Sequence, residues 1–232
     1  VRKFDIKTRL AVTVRLFEAL DLFDMNGHVS VRVEDGFLTH GRQAARGTVT
    51  LRDLILVDWD GKLKQGEQEP PNEVYLHSEI YRLRPDVHAI AHFHGHWSNI
   101  ISVAGIAPRP VSSVTCVLGR DIPVYQDPDS ISDAERGREV AHCLGTNKVL
   151  LLRGHGVVTA GNSLEEVLVL AKYLEINSQR QVFARLLNPN AQLEDDEIDR
   201  IGAALWTPKN IEKSWTYYYE KTSREGTFIG IL

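Results

Sequence analysis

Cysteine is nearly absent. Cys116 and Cys143 are the only two in 232 residues, too far apart for a Cys-x-x-Cys motif and too few for a disulfide framework, so both are expected to be reduced and structural. Long apolar runs are missing too. Stretches such as Val149–Leu152 fall far short of the roughly 20 residues that a membrane-spanning helix needs. The opening Val1-Arg2-Lys3-Phe4-Asp5 is too polar for a secretion signal. These absences predict a cytoplasmic protein with no membrane partner, a few residues being expected before Val1. Nor is there an excess of positive charge. Lys and Arg number 27 against 31 Asp and Glu, for a formal charge of −4, and the basic residues are scattered, which excludes a general attraction to nucleic acid. With no fixed-period repeat, low-complexity tract or linker, residues 1–232 read as one domain. What is present, 43% hydrophobic and 25% charged residues, is ordinary globular usage and excludes a disordered or fibrous chain.

Periodicity places a helix over residues 5–21, with Leu10, Val14, Phe17 and Leu20 on one face and Arg9, Arg15 and Glu18 between them. Alternation over 27–33, the turn Glu34-Asp35-Gly36 and the run Phe37-Leu38-Thr39 predict a hairpin. A Gly- and Arg-rich loop over 41–47, which has no hydrophobic reason to exist, precedes an apolar strand over 54–58 and the Asp60-Gly61 turn. After Pro70-Pro71, Asn72 is placed to cap a helix starting near Glu73 and ending before Pro85. A strand over 89–94, a helix over 96–103, a strand or loop in 111–118 and a helix over 133–144 follow. A buried strand over 148–152 then turns at Arg153-Gly154-His155-Gly156 into Val157-Val158-Thr159. Ser163 and Glu166 read as the capping box of a long helix ending near Asn188-Pro189.

His92 and His94 stand two apart in a strand-like segment, so their side chains leave one face and Phe93 leaves the other. His155, between two glycines just past a buried strand, can be carried by a turn to a neighbouring strand's end. Three neutral imidazoles with an open position meet the needs of a catalytic zinc-type site. A lone histidine is more often a hydrogen-bonded structural residue, and the pair alone would be a weak signal. His88 and His96 extend the alternation and are read as supporting or solvent-facing; His28, His40 and His77 stay open. Metal hydrolases on an eight-stranded barrel also use His-x-His, but that barrel takes about 250 residues of alternating strand and helix, and this chain opens with a helix and a hairpin.

Asn72-Glu73-Val74-Tyr75-Leu76-His77, then Ala91-His92-Phe93-His94, then Leu151-Leu152-Arg153-Gly154-His155-Gly156 together resemble the class II aldolase and adducin family, over roughly Leu10 to Leu187. An acidic residue at a helix start is favoured by the helix dipole without any catalysis; the histidines are what give Glu73 another meaning. The resemblance implies an α/β fold, a central mostly antiparallel sheet flanked by helices on both faces. It also implies Glu73 as the catalytic acid/base and one divalent metal ion per subunit on His92, His94 and His155. Manganese and zinc are the expected ions, with iron and cobalt also acceptable to three imidazoles. A homotetramer or higher homo-oligomer with active sites at subunit interfaces is implied as well, with residues 190–232 as an interface-forming extension. The cluster Trp215-Thr216-Tyr217-Tyr218-Tyr219 is read as core or interface packing, with reach into a neighbour's site as the alternative.

The family's sugar-phosphate enzymes hold phosphate with a Gly-Asn-x-Ser segment, a Thr-Gly turn and a Ser-Ser pair. The corresponding positions here are His28, Thr39-His40-Gly41-Arg42 and Pro71-Asn72, which lack most of those small donors. The pattern instead resembles members that decarboxylate hydroxylated aromatic or heteroaromatic dicarboxylates, and points to 3-hydroxy-2-methylpyridine-4,5-dicarboxylate, a compound of vitamin B6 degradation, with 3,4-dihydroxyphthalate next. His28, Arg42, Arg46 and Asn72 are the substrate-binding candidates; an arginine can clamp a second carboxylate through paired hydrogen bonds. A sugar-phosphate aldolase or epimerase and a non-catalytic adducin-like assembly module are the competing expectations.

Overall fold

The computed structural model describes residues 4–231; the opening Val1-Arg2-Lys3 of the polar N-terminus read above lies outside them. Helix α1 (Ile6–Ala19) starts where the Asp5 carboxylate accepts from the backbone N–H groups of Lys7 and Thr8. Strands β1 (His28–Val33) and β2 (Gly36–His40) form the expected hairpin. Gly36 is required there: its φ is +148°, and a Cβ would lie 2.0 Å from the Val57 carbonyl oxygen. After two 3-10 turns come β3 (Leu54–Val57), β4 (Leu63–Gln65), α2 (Val74–Leu83), β5 (Ala89–Phe93) and α3 (His96–Val103). A 3-10 helix (Ser113–Leu118) leads to β6 (Val124–Tyr125), α4 (Ala134–Leu144), β7 (Val149–Leu152), β8 (Gly156–Gly161) and α5 (Leu164–Leu187). Helices α6 (Asp195–Leu205) and α7 (Pro208–Ser223) follow.

The eight strands form one sheet in the order β4-β3-β2-β1-β5-β8-β7-β6. Every pair is antiparallel except β6 with β7. Strand alternation divides the core in two. Ala89, Ala91 and Phe93 of β5 join Leu10, Val14 and Phe17 of α1 and Leu168 and Leu174 of α5 on one face. Ile90 joins Leu76 and Ile80 of α2 and Val140 and Leu144 of α4 on the other. Helices thus cover both faces, and His92 is directed to the α2 side of the sheet centre. No described helix is long and apolar enough to cross a membrane.

Five local expectations change. Helix α1 is buried from Leu10 to Phe17 on all sides, because residues 46–53 and the C-terminal turn cover its outer face. Arg15 is tolerated there because its guanidinium donates to the Val49, Thr48, Thr227 and Ile229 carbonyls at 2.7–3.0 Å. Asn72 does not cap α2; Glu73 occupies the cap position without a side-chain cap bond, and the Asn72 amide turns instead toward Ser130 Oγ at 3.4 Å. Ser163 caps α5 by accepting from Glu166 N–H, while the Glu166 carboxylate reaches back to Asn162 N–H rather than to Ser163. Residues 113–118 form the 3-10 helix, packed on α5 and α6, in place of a strand or loop. The segment beyond Asn188, read only as an extension, contains α6 and α7, whose Trp215 and Tyr218 enter the core while Tyr217 stays exposed.

Candidate metal centre

Strand β5, the turn between β7 and β8, and the start of α2 bring the site together. His92 is the penultimate residue of β5 and is fully buried. His94 lies one residue beyond that strand's end, just past the alternation, and still turns back to the same point. His155 sits in the turn between β7 and β8, and Glu73 at the start of α2 comes down over the sheet from above. The His92–His94, His92–His155 and His94–His155 ring centroids are 5.1, 5.1 and 5.3 Å apart. One ligating atom from each of Glu73, His92, His94 and His155 lies within 4.8 Å of all the others.

The donor chemistry fits a cation. His92 Nδ1 lies 3.0 Å from the Val157 carbonyl; a carbonyl only accepts, so Nδ1 carries the hydrogen and Nε2 presents its lone pair to the cluster. His94 Nδ1 is likewise 3.4 Å from Asp24 Oδ2. The Nε2 atoms of His92 and His94 are buried with no hydrogen-bond partner among the described residues, an arrangement that is costly unless something positive meets those lone pairs. Gly156 makes this approach possible. A Cβ there would lie 2.6 Å from the Phe93 carbonyl oxygen, 2.9 Å from His94 Cδ2 and 3.2 Å from His92 Cε1. Gly156→Ala is therefore expected to lower stability by about 1–3 kcal/mol through overpacking and to reduce metal content, read by thermal melting and elemental analysis of the same samples.

Glu73 is held as tightly as the histidines. Its Oε1 accepts from Ser130 Oγ–H at 3.0 Å and from Ile131 N–H at 2.9 Å, and lies 3.3 Å from His155 Nε2. Its Oε2 is 3.1 Å from His92 Nε2 and 3.9 Å from His28 Nε2. Burial pushes this carboxyl up, while the His155 and His92 rings, and then the charges of His92 and His28, pull it down, for a net position below the usual carboxylate range.

A cleft of about 510 Å³ opens on the cluster, lined by His28, Arg42, Arg46, Asn72, Glu73, His94, Ser130 and His155. All four substrate-binding candidates from the sequence border it. Arg42 is exposed. Arg46 is half-buried, with its guanidinium donating to the Ala44, Gly27 and Arg42 carbonyls at 2.6–3.3 Å, so it shapes the loop as well as the cleft. His88 and His96 are exposed and lie outside the cleft lining. Sequence reasoning missed Ser130 and Ile131, which fix Glu73, and Asp24, which faces His94. None lies in a motif or near its partner in the chain.

Behind the cleft, burial pushes the His77 ring down to about 3 and the His40 ring down to about 4. The unfolded chain binds a proton on each near pH 6.5. As pH falls below that value the unfolded state takes up protons that the folded state refuses. Each ring is thus expected to remove about 1.4 kcal/mol of stability per pH unit until its folded value is reached. Urea midpoints measured at pH 7, 6 and 5 check this; equal midpoints at pH 7 and pH 5 contradict it.

The sequence profile of the family described as Class II Aldolase and Adducin N-terminal domain matches residues 8–182. A 3,4-dihydroxyphthalate decarboxylase from Arthrobacter keyseri is 32% identical over 159 residues, 62% of this chain and 64% of that protein, so the match spans slightly less than two thirds of the relative. An L-fuculose phosphate aldolase from Escherichia coli is 28% identical over 177 residues, 74% of this chain and 80% of the aldolase. The crystal structure of an aldolase II superfamily protein from Pseudomonas syringae superposes with a TM-score of 0.85 at 22% identity, covering 96% of this chain and 93% of that one, which establishes a common fold. With a profile match over most of its length and that fold around a His-and-Glu cluster, the chain belongs to the class II aldolase and adducin family.

Proposed function

We propose that this protein is a metal-dependent decarboxylase of a hydroxylated aromatic dicarboxylate, with 3-hydroxy-2-methylpyridine-4,5-dicarboxylate as the favoured substrate. The observation that carries the reading is the cleft itself, where Glu73 faces three imidazoles while His28 and two arginines border the space. Similarity to a protein named as a dihydroxyphthalate decarboxylase supports it. His92, His94 and His155 would hold the divalent ion, manganese or zinc with iron or cobalt as alternatives. When bound, the ion supplies positive charge that stabilises the oxygen anion beside the breaking carbon–carbon bond.

The remaining work belongs to the chain. With Oε1 of Glu73 accepting from Ser130 and Ile131, Oε2 is the oxygen left to carry a proton. The His155 and His92 rings lower this carboxyl only while they are proton donors; a ring that turned its lone pair to a cation could not donate from that atom. Burial then opposes charge on Glu73, against the field of the ion itself. Protonated Glu73 delivers its proton to the ring carbon that bears the carboxylate. The carbon–carbon bond breaks, its electron pair returns to the ring, carbon dioxide leaves, and water re-protonates Glu73. Arg42 is the cation best placed to pair with the substrate's second carboxylate, and exclusion of water is left to the cleft walls.

The family's assembly is part of the proposal: a homotetramer in the cytoplasm, with clefts at subunit interfaces and residues 190–232 contributing to contacts. Exposed Ile100 and Val103 on α3, next to His94 and His155, support an apolar contact near the site, and exposed Phe183, Leu186 and Leu187 at the end of α5 support a further apolar contact.

The deciding experiment incubates manganese- and zinc-loaded protein with the pyridine dicarboxylate, with 3,4-dihydroxyphthalate and with fuculose 1-phosphate. Release of carbon dioxide from either aromatic acid supports the decarboxylase. Aldol cleavage alone shifts the reading to a sugar-phosphate aldolase, which similarity to the L-fuculose phosphate aldolase favours.

A further inference from the structure

Beneath the cleft a row of buried polar groups runs away from Glu73. His28 Nδ1 lies 2.6 Å from His77 Nε2, His77 Nδ1 lies 2.6 Å from Ser30 Oγ, and Ser30 Oγ lies 2.8 Å from Tyr81 Oη. All four residues are at most 4% exposed. They come from β1 and α2, and the alternation of β1 places His28 and Ser30 on the face that α2 covers. Each contact accommodates one hydrogen, so the row has a direction, and its far end selects it.

At the far end, the Tyr81 ring is enclosed by Phe37, Trp59 and the Arg32 guanidinium at 5.4, 6.1 and 4.7 Å. Its hydroxyl has Ser30 Oγ as its one hydrogen-bond partner among the described residues. A buried O–H with no acceptor is more costly than an unfilled lone pair, so Tyr81 donates to Ser30. Ser30 has a single hydrogen, which then goes to His77 Nδ1. His77 in turn carries its ring hydrogen on Nε2 and donates to His28 Nδ1. At the near end, His28 Nε2 faces Glu73 Oε2 at 3.9 Å. The opposite direction would leave the Tyr81 hydrogen without a partner.

We infer that Tyr81, Ser30 and His77 act as positioning residues that lock His28 as an Nε2–H donor into the cleft, making it a specificity determinant for an oxyanion or carbonyl oxygen of the substrate. His28 in this state cannot accept a proton from substrate at that atom. It selects ligands with an acceptor there and rejects those with a hydroxyl hydrogen or ammonium group directed at it. The identity of that acceptor as a carboxylate or phenolate oxygen rests on the decarboxylase reading; the direction of the row does not.

The test is histidine-selective 15N labelling of the zinc-loaded protein and long-range proton–nitrogen correlation, with signals assigned from His28→Gln and His77→Gln. Both rings are expected to carry hydrogen on Nε2. Tyr81→Phe keeps the ring in its enclosure and removes only the first donor. It is expected to move the His28 signal toward the Nδ1–H form and to raise KM about tenfold, with kcat and metal content nearly unchanged. Ser30→Ala cuts the row between Tyr81 and His77 and is expected to produce the same shift, which keeps the inference testable if the tyrosine variant fails to fold. An Nδ1–H tautomer of His28 in the parent protein overturns it, as does a folded Tyr81→Phe variant with unchanged tautomer and KM. Because the tautomers are read without substrate, failure to release carbon dioxide would remove the decarboxylase reading and leave this one standing.

Discussion

Alanine at position 92 is expected to leave a folded chain that neither retains a stoichiometric metal ion nor turns over, with activity lower by roughly 10³-fold or more. The size follows from the several kcal/mol that a bound ion contributes to stabilising a developing anion, each 1.36 kcal/mol being a factor of ten in rate. His92 is the best-built of the three imidazoles: it is fully buried, oriented at Nδ1 by the Val157 carbonyl, and its Nε2 has no hydrogen-bond partner among the described residues. Removing it deletes the innermost donor and leaves a polar void beneath Glu73. Elemental analysis alongside the rate of carbon dioxide release measures the effect, with circular dichroism checking the fold. Ligand linkage adds an independent reading, because an ion that binds only the folded state raises its melting temperature with concentration. Added zinc or manganese should raise the melting temperature of the parent protein and not that of His92→Ala. A variant that keeps one ion per chain would remove His92 from the metal set.

Glu73→Gln tests the proposed proton delivery separately from metal holding. The amide is isosteric, and its oxygen can still accept from Ser130 Oγ–H and Ile131 N–H as Oε1 does, so the start of α2 should not move. What is lost is the ionisable oxygen on the His92 and His28 side. Turnover is expected to fall by about 10²–10⁴-fold, the usual scale of a general acid, with metal content unchanged. If metal content fell in step with turnover, Glu73 would be a ligand and its role as proton carrier would be in doubt; turnover at the parent rate would end that role outright.

Much of the fold was legible before any coordinates, for identifiable reasons. The hairpin over 27–39, the helix from His96 to Val103 and the long helix after Ser163 are each specified by neighbours in the chain: alternation, a glycine turn, a cap. The elements that escaped notice depend on distant partners. Strand β4 is three exposed residues that pair only because β3 is beside them, and β6 is two residues long and held parallel to β7. Helices α6 and α7 are organised by packing against the 3-10 helix and α5 rather than by any local pattern singled out in the sequence.

The candidate site divides along the same line. Residue chemistry and short spacing marked His92, His94 and His155 as a candidate ligand set, and the family resemblance added Glu73, because His-x-His, a glycine-flanked histidine and an acid at a helix start are local features. Their meeting point was decided by β5 lying between β1 and β8 and by α2 crossing that face. The same holds for Ser130, Ile131 and Asp24, and for the row from Tyr81 to His28, where 2.6–2.8 Å contacts join residues 47–51 positions apart. By itself the sequence determined which donors and acceptors the chain owns and which segments can be strand or helix, since those depend on covalent neighbours. Which lone pair faces which hydrogen depends on sub-ångström placement of side chains from separate elements, and only the packed tertiary structure decides that.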